Sequence, residues 1–153
     1  MKTQTFAVIM AGGSGVRFWP KSRKKLPKQF LKITGHKTMI QTTLHRIESF
    51  VPHQNAIVVT NVLHAKTVKD QLPSIPAENI ILEPVEKNTA PCIGLAALIV
   101  EQKDREGVMV VLPSDHWIKD DRQFCNELKI AAKIAAEKKT LIAFGIKPSY
   151  PET

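Results

Sequence analysis

No acidic side chain occurs in the first 47 residues: the first carboxylate is Glu48, and ten Lys or Arg precede it. The remainder holds twelve basic and fourteen acidic residues, so the entire net charge of +8 sits in the first third, mostly between Arg17 and Lys37. Cysteine is also scarce. Cys92 and Cys125 lie far apart in apolar or helical contexts, with neither a CxxC pair nor metal-ligand spacing. That excludes a disulfide framework and is read as a reduced, cytoplasmic protein. No apolar run approaches the ~20 residues that span a bilayer. The run Phe6–Met10 leads straight into glycines and is too short for a secretory signal. His36, His45, His53 and His64 show no metal-ligand spacing, and no Ser/His/Asp or Cys/His nucleophile set is apparent. Internal repeats, low-complexity tracts and flexible linkers are missing too.

What is present is one domain's length of ordinary globular sequence, with 43% hydrophobic and 24% charged residues among 153. Five Val- and Ile-rich runs read as buried parallel strands: Thr5–Met10, Ala56–Thr60, Asn79–Leu82, Val108–Leu112 and Thr140–Phe144. Helical spacing separates them. Met39, Ile40, Leu44 and Ile47 form one stripe behind Thr38 as N-cap, and Leu63, Val68 and Leu72 a second. A third helix spans Pro91 to about Arg105, with Thr89 as cap, and Phe124, Leu128, Ala131, Ala132 and Ala135 mark a fourth. Alternating strands and helices predict an α/β fold, a Rossmann-like, doubly wound and mainly parallel sheet with flanking helices. The expected strand order is 3-2-1-4-5. The chain stops at Pro151-Glu152-Thr153 without a terminal helix, and is read as a truncated piece of a longer protein.

After the first strand comes Ala11-Gly12-Gly13-Ser14-Gly15-Val16-Arg17. Glycines at 12, 13 and 15 let the backbone approach a ligand without Cβ clashes, and successive N–H groups can converge on phosphate oxygens as an anion nest. Arg17 and Lys28 can add charge-assisted contacts, the first as a fork and the second as a point charge. A P-loop would end in Gly-Lys-Ser/Thr, whereas Gly15 is followed by Val16-Arg17; a dinucleotide fingerprint needs glycine where Phe18 stands. A plain tight turn would also use these glycines.

Two more segments end strands. Glu83-Pro84-Val85-Glu86-Lys87-Asn88-Thr89-Ala90-Pro91 opens a helix, whose N-terminus offers N–H donors beside the polar side chains of Asn88 and Thr89. Leu112-Pro113-Ser114-Asp115-His116 closes the fourth strand. Asp115 suits Mg²⁺, which prefers one or two carboxylates with phosphate oxygens and water. In the 3-2-1-4-5 order, strands one and four meet at the switch point, so the glycine loop and Asp115 would face one crevice. His116 either orients Asp115, touches the ligand or is simply packed or solvated. Phe18 and Trp19 are expected to shape the loop by packing against the core.

The ordered series Ala11-Gly12-Gly13-Ser14-Gly15-Val16-Arg17-Phe18-Trp19-Pro20, Ser22-Arg23 and Pro27-Lys28-Gln29-Phe30-Leu31 resembles the mannose-1-phosphate guanylyltransferase family. The resemblance implies GTP and mannose 1-phosphate as substrates, Mg²⁺ as cofactor, and GDP-mannose and pyrophosphate as products. It implies that the loop amides of Ala11 to Gly15 and Arg17 hold the β- and γ-phosphates, that Lys28 lies at the reacting phosphates and that Asp115 holds Mg²⁺. The stretch containing Glu83, Asn88 and Thr89 would form the guanine-reading wall. Arg23 is a secondary phosphate candidate, whereas Lys24 and Lys25 are assigned to diffuse steering. The segment Phe144–Thr153 resembles the family's passage toward the sugar site; that site and a second metal-binding carboxylate are expected beyond Thr153. Residues 1–153 would then be the N-terminal nucleotide-binding part of a nucleotidyltransferase domain. Two alternatives stay open: the same chemistry with UTP, dTTP or another sugar, and a nucleic-acid-binding module whose support is charge alone. On the leading reading no nucleic-acid or membrane partner is expected, and a homo-oligomer stays open.

Overall fold

Phe6, Ala7, Val8 and Ile9 are all buried, as only a strand covered on both faces can be. They belong to β1 (Thr5–Met10), which lies between β2 (Ala56–Asn61) and β4 (Val108–Pro113); β3 (Ile80–Glu83) flanks β2. The computed structural model describes residues 3–13, 18–33, 35–85 and 88–146. All three strand pairings are parallel, in the order β3-β2-β1-β4. The chain therefore leaves β1 in one direction, builds β2 and β3, and returns to add β4 on the other side of β1. That reversal is the predicted switch point.

Side chains alternate across the sheet with the period of two expected for strands. Ala7 and Ile9 join Val58, Val110 and Leu112 against α1 (Met39–Ile47), α2 (Ala65–Gln71) and α4 (Asp121–Lys138). Phe6 and Val8 join Ile57 and Val59 on the opposite face, against Cys92, Ala96 and Val100 of α3 (Thr89–Lys103). Helices on both faces make the fold doubly wound. Thr38 is the N-cap of α1 as read, and its backbone N–H donates to Gln41 Oε1 at 3.0 Å. Arg46 ties α1 to α4 by donating to Asp121 at 2.5 Å. None of the helices among the described residues is long and apolar enough to cross a membrane.

Three expectations are corrected. Thr140–Phe144 is not a strand: residues 140–146 carry no sheet pairing, and Leu141 is 100% exposed. Apolar composition signals a tendency to be covered, but a strand also needs a neighbour for its N–H and C=O groups. Instead Phe144 leans on Phe124 of α4, with ring centroids 6.4 Å apart. Second, the α3 N-cap is Asn88, and Thr89 is already helical. Third, Phe18 and Trp19 do not pack into the core; they are 45% and 77% exposed.

Candidate functional site

Three loops leave the C-terminal edge of the sheet next to one another. Met10 pairs with Pro113, and the Ser114 N–H donates to Met10 O at 3.1 Å, so the loops after β1 and β4 begin side by side. The loop after β2 begins beside the first of these, since Ala11 N–H donates to Val59 O at 2.8 Å.

The start of the glycine loop is held through its carbonyls. Ala11 O accepts from Gln29 Nε2 and from Thr60 Oγ1, both at 3.1 Å. Gly12 O accepts from Asn61 Nδ2 at 3.1 Å, and Gly13 O from Gln29 Nε2 at 2.9 Å. Three successive carbonyls thus meet side-chain donors from two other segments. In a trans peptide the N–H points opposite to the C=O. The Gly12 N–H therefore points away from the donors on Ala11 O, Gln29 and Thr60, and the Gly13 N–H away from Asn61, the donor on Gly12 O. A Cβ at position 12 would lie 2.8 Å from Glu83 Oε2, so a side chain there would displace the Glu83 carboxylate or the loop. Ser14, Gly15 and Arg17 lie outside the described residues, as do Glu86 and Lys87.

The basic segment then doubles back. Ser22 is buried and accepts from the Phe18 N–H at 3.0 Å, and Arg23 pairs with Leu26 in a short antiparallel bridge. The Arg23 guanidinium is exposed and donates to Pro20 O at 3.3 Å, so it stays at the rim. A 3₁₀ turn at Lys28–Phe30 next sends consecutive side chains in different directions. Phe30 enters the core, Gln29 reaches the loop carbonyls, and Lys28 forms an ion pair with Asp115. Both members of that pair are partly covered, at 18% and 24% side-chain exposure. His116 is exposed, and the ionic partner of Asp115 is Lys28.

On the other side of the loop, Glu83 ends β3 and is buried. Burial, together with the neighbouring Glu83 charge, pushes the Cys92 thiol up to about 11. Glu83 and Pro84 line a pocket of about 290 Å³ with Lys24, Asn61, Val62, Leu63 and His64. Lys24, assigned to diffuse steering from sequence, is thus a wall residue. Asn88 and Thr89 are exposed at the start of α3, and Asn88 holds φ 65 and ψ −161, a region that favours glycine. The sequence reading gave no role to Thr60, Asn61 or Gln29. Gln29 stood in the quoted motif; Thr60 and Asn61 had only the signal of polar residues closing an apolar strand.

Asp115 is the metal candidate, and no group of three or more His, Cys, Asp or Glu side chains suited to a metal occurs among the described residues. One partly exposed carboxylate beside the glycine loop fits Mg²⁺, which takes few protein ligands and completes its shell with phosphates and water. It does not fit a closed structural site such as tetrahedral zinc.

A parallel sheet with helices on both faces and a glycine loop at its switch point defines a doubly wound α/β domain, and the nucleotidyl transferase family model matches residues 6–153. The chain belongs to that family. It is 44% identical to a mannose-1-phosphate guanylyltransferase of Escherichia coli over its whole length, covering 33% of that protein. It is 43% identical to the alginate biosynthesis protein AlgA of Pseudomonas aeruginosa over 95% of the chain and 30% of AlgA. Among solved structures, one from Thermus thermophilus described as a mannose-1-phosphate geranyltransferase matches with a TM-score of 0.77 at 30% identity, covering 87% of this chain and 38% of that one. The chain spans about a third of the length of the curated relatives it matches.

Proposed function

We propose that the complete protein transfers a guanylyl group from GTP to α-D-mannose 1-phosphate, forming GDP-mannose and pyrophosphate. The observation that carries this reading is the Lys28–Asp115 pair beside a glycine loop whose carbonyls are turned into the protein. The similarity to mannose-1-phosphate guanylyltransferases supports the choice of substrates.

The sugar phosphate attacks the α-phosphorus in line, and pyrophosphate leaves on the opposite side. Both reactants are polyanions, so the protein's task is to align them and offset their repulsion. The Ala11 N–H, expected from sequence to join the cradle, is already given to Val59 O; the loop amides from Gly12 to Gly15 and the Arg17 guanidinium bind the β- and γ-phosphates and stabilise the departing pyrophosphate. Lys28 lies against the reacting phosphates. Asp115 would hold Mg²⁺, which when bound polarises the phosphoryl group. Arg23 at the rim and Lys24 at the pocket wall add positive charge on the approach.

Guanine presents two donors on one edge, N1–H and the 2-amino group, and a carboxylate can accept both. Glu83, buried at the end of β3 and lining the pocket, is assigned that recognition, with Asn88 and Thr89 completing the wall. Uracil and thymine present a single ring N–H on the equivalent edge and match a carboxylate less well. On this reading the enzyme works in the cytoplasm.

The test is pyrophosphate release by the complete protein across GTP, UTP, dTTP and ATP, each with mannose and glucose 1-phosphates. The expected result is release with GTP and mannose 1-phosphate. Preference for UTP or dTTP overturns the guanylyl assignment. Tight, salt-dependent RNA or DNA binding without a GTP-induced rise in Tm replaces the reading with a nucleic-acid module.

A further inference from the structure

The side chain of Gln29 is 3% exposed, and its amide nitrogen is spent on the glycine loop, donating to Ala11 O at 3.1 Å and to Gly13 O at 2.9 Å. One amino group carries two hydrogens, so a single side chain can hold two carbonyls that are two residues apart. Bridging them sets the curvature of the loop between those residues. Gln29 also sits in the same 3₁₀ turn as Lys28, whose ammonium faces Asp115, and as Phe30, whose ring anchors the turn in the core. The turn thus couples the position of the reactive cation to the shape of the phosphate loop.

We propose that Gln29 is a positioning residue for phosphate binding: by gripping the Ala11 and Gly13 carbonyls it turns the loop amides toward the polyphosphate of the nucleotide. This inference rests on the assignment of the loop to nucleotide phosphates. Gln29 touches no substrate and works through the loop it holds. Thr60 and Asn61 also donate to this carbonyl row, at Ala11 O and Gly12 O, and Gln29 joins Ala11 O to Gly13 O.

Gln29→Met keeps the length and volume of the side chain and removes both donors. In the complete protein, its affinities for GTP, GDP and guanosine are compared with the unmodified protein by calorimetry or competition. GTP and GDP are expected to weaken roughly tenfold, the scale of two neutral hydrogen bonds, while guanosine changes less than about twofold. A merely structural Gln29 would weaken all three alike. Equal losses, or no loss for GTP, overturn the proposal. Gln29→Glu is the second variant, isosteric but with acceptors facing two carbonyls; it should lower the GTP-to-guanosine ratio at least as far, and an unchanged ratio overturns the proposal equally. If the unmodified protein prefers another nucleotide, the guanylyl assignment fails while Gln29 is judged on that nucleotide and its nucleoside. If phosphates add nothing to binding in the unmodified protein, the inference itself falls.

Discussion

The two sides of the crevice are held by different forces. On the glycine-loop side, neutral donors from Gln29, Thr60 and Asn61 fix three consecutive carbonyls at 2.9 to 3.1 Å. On the β4 side, Lys28 and Asp115 hold each other as an ion pair that remains partly open to solvent. On the proposed function a neutral clamp has no competitor when a polyanion arrives, because the phosphates are assigned to the loop amides and not to the carbonyls the clamp holds. An ion pair does: an incoming phosphate draws the ammonium, and a cation draws the carboxylate. The first side is therefore built to stay as it is, and the second to exchange partners.

Removing the exchangeable side should have the largest effect. Lys28→Ala and Asp115→Ala are each expected to lower turnover by roughly a hundredfold or more, the scale of losing one electrostatic stabiliser of the transition state. Since the pair is partly exposed, thermal stability should change little, by about 1 kcal/mol or less. Steady-state kinetics and a melting curve on the same preparations check both halves. Near-normal turnover in either variant rejects that residue's role, and a collapse in Tm would show that the pair is scaffold.

The second test asks whether the neutral side is closed to charge. Cys92 packs in the core on the α3 face of the sheet, and burial with the Glu83 carboxylate that borders Gly12 moves its thiol from 9.0 to about 11. At pH 8 its thiolate fraction should be about a hundredfold below that of an ordinary thiol, and labelling slower still because the sulfur is covered. The folded state holds this proton more tightly than the unfolded state. Below about pH 9 both are neutral; above it the unfolded thiol ionises first, so stability falls as pH rises toward 11. Thiol-reagent kinetics from pH 7 to 10, with and without denaturant, measure the difference. Rapid native-state labelling of Cys92 at pH 8 would mean that this side opens.

The sequence marks where the two sides lie but not the contacts that distinguish them, and the missing parts share a cause. β1, the glycine loop, Lys28 and Asp115 were readable because each is local: an apolar run, a glycine cluster and charged residues at fixed places. The direct pairing of Lys28 with Asp115 was not, since it depends on where a 3₁₀ turn aims one side chain. Gln29, Thr60 and Asn61 look unremarkable in sequence because their partners are backbone carbonyls of another segment, and a carbonyl leaves no residue type to read. The run Thr140–Phe144 failed for the converse reason. Its apolar pattern resembles that of β2, but β2 has strands on both sides and residues 140–146 have none. Phe18 and Trp19 were misjudged likewise, hydrophobicity being taken for burial where the chain turns at the rim.

A third test presses the clamp from outside. Gly12→Ala places a methyl 2.8 Å from Glu83 Oε2, so either the carboxylate or the loop must shift. Overpacking of this kind typically costs about 1 to 3 kcal/mol. If the clamp is stiff, the strain falls on Glu83, and GTP affinity should drop about tenfold with discrimination against UTP reduced. If discrimination survives while affinity for all nucleotides falls, the loop has moved instead, and the claim that this side is fixed is wrong.

The smallest effect separates holding the loop from aiming it. Thr60 Oγ1 donates to Ala11 O at 3.1 Å from a fully buried position, but Gln29 donates to the same oxygen. Thr60→Val preserves shape and leaves that carbonyl one of its two partners. The cost should be about 1 kcal/mol of stability, the net value of one neutral hydrogen bond. Urea unfolding should show a lower midpoint with an unchanged m-value. Because the Gln29 bridge from Ala11 to Gly13 remains, the ratio of GTP to guanosine affinity should stay within about twofold of the unmodified protein. A loss of that ratio as large as in Gln29→Met would mean that every donor in the row contributes to aiming. The clamp would then act as one cooperative network, and Gln29 would have no special place in it.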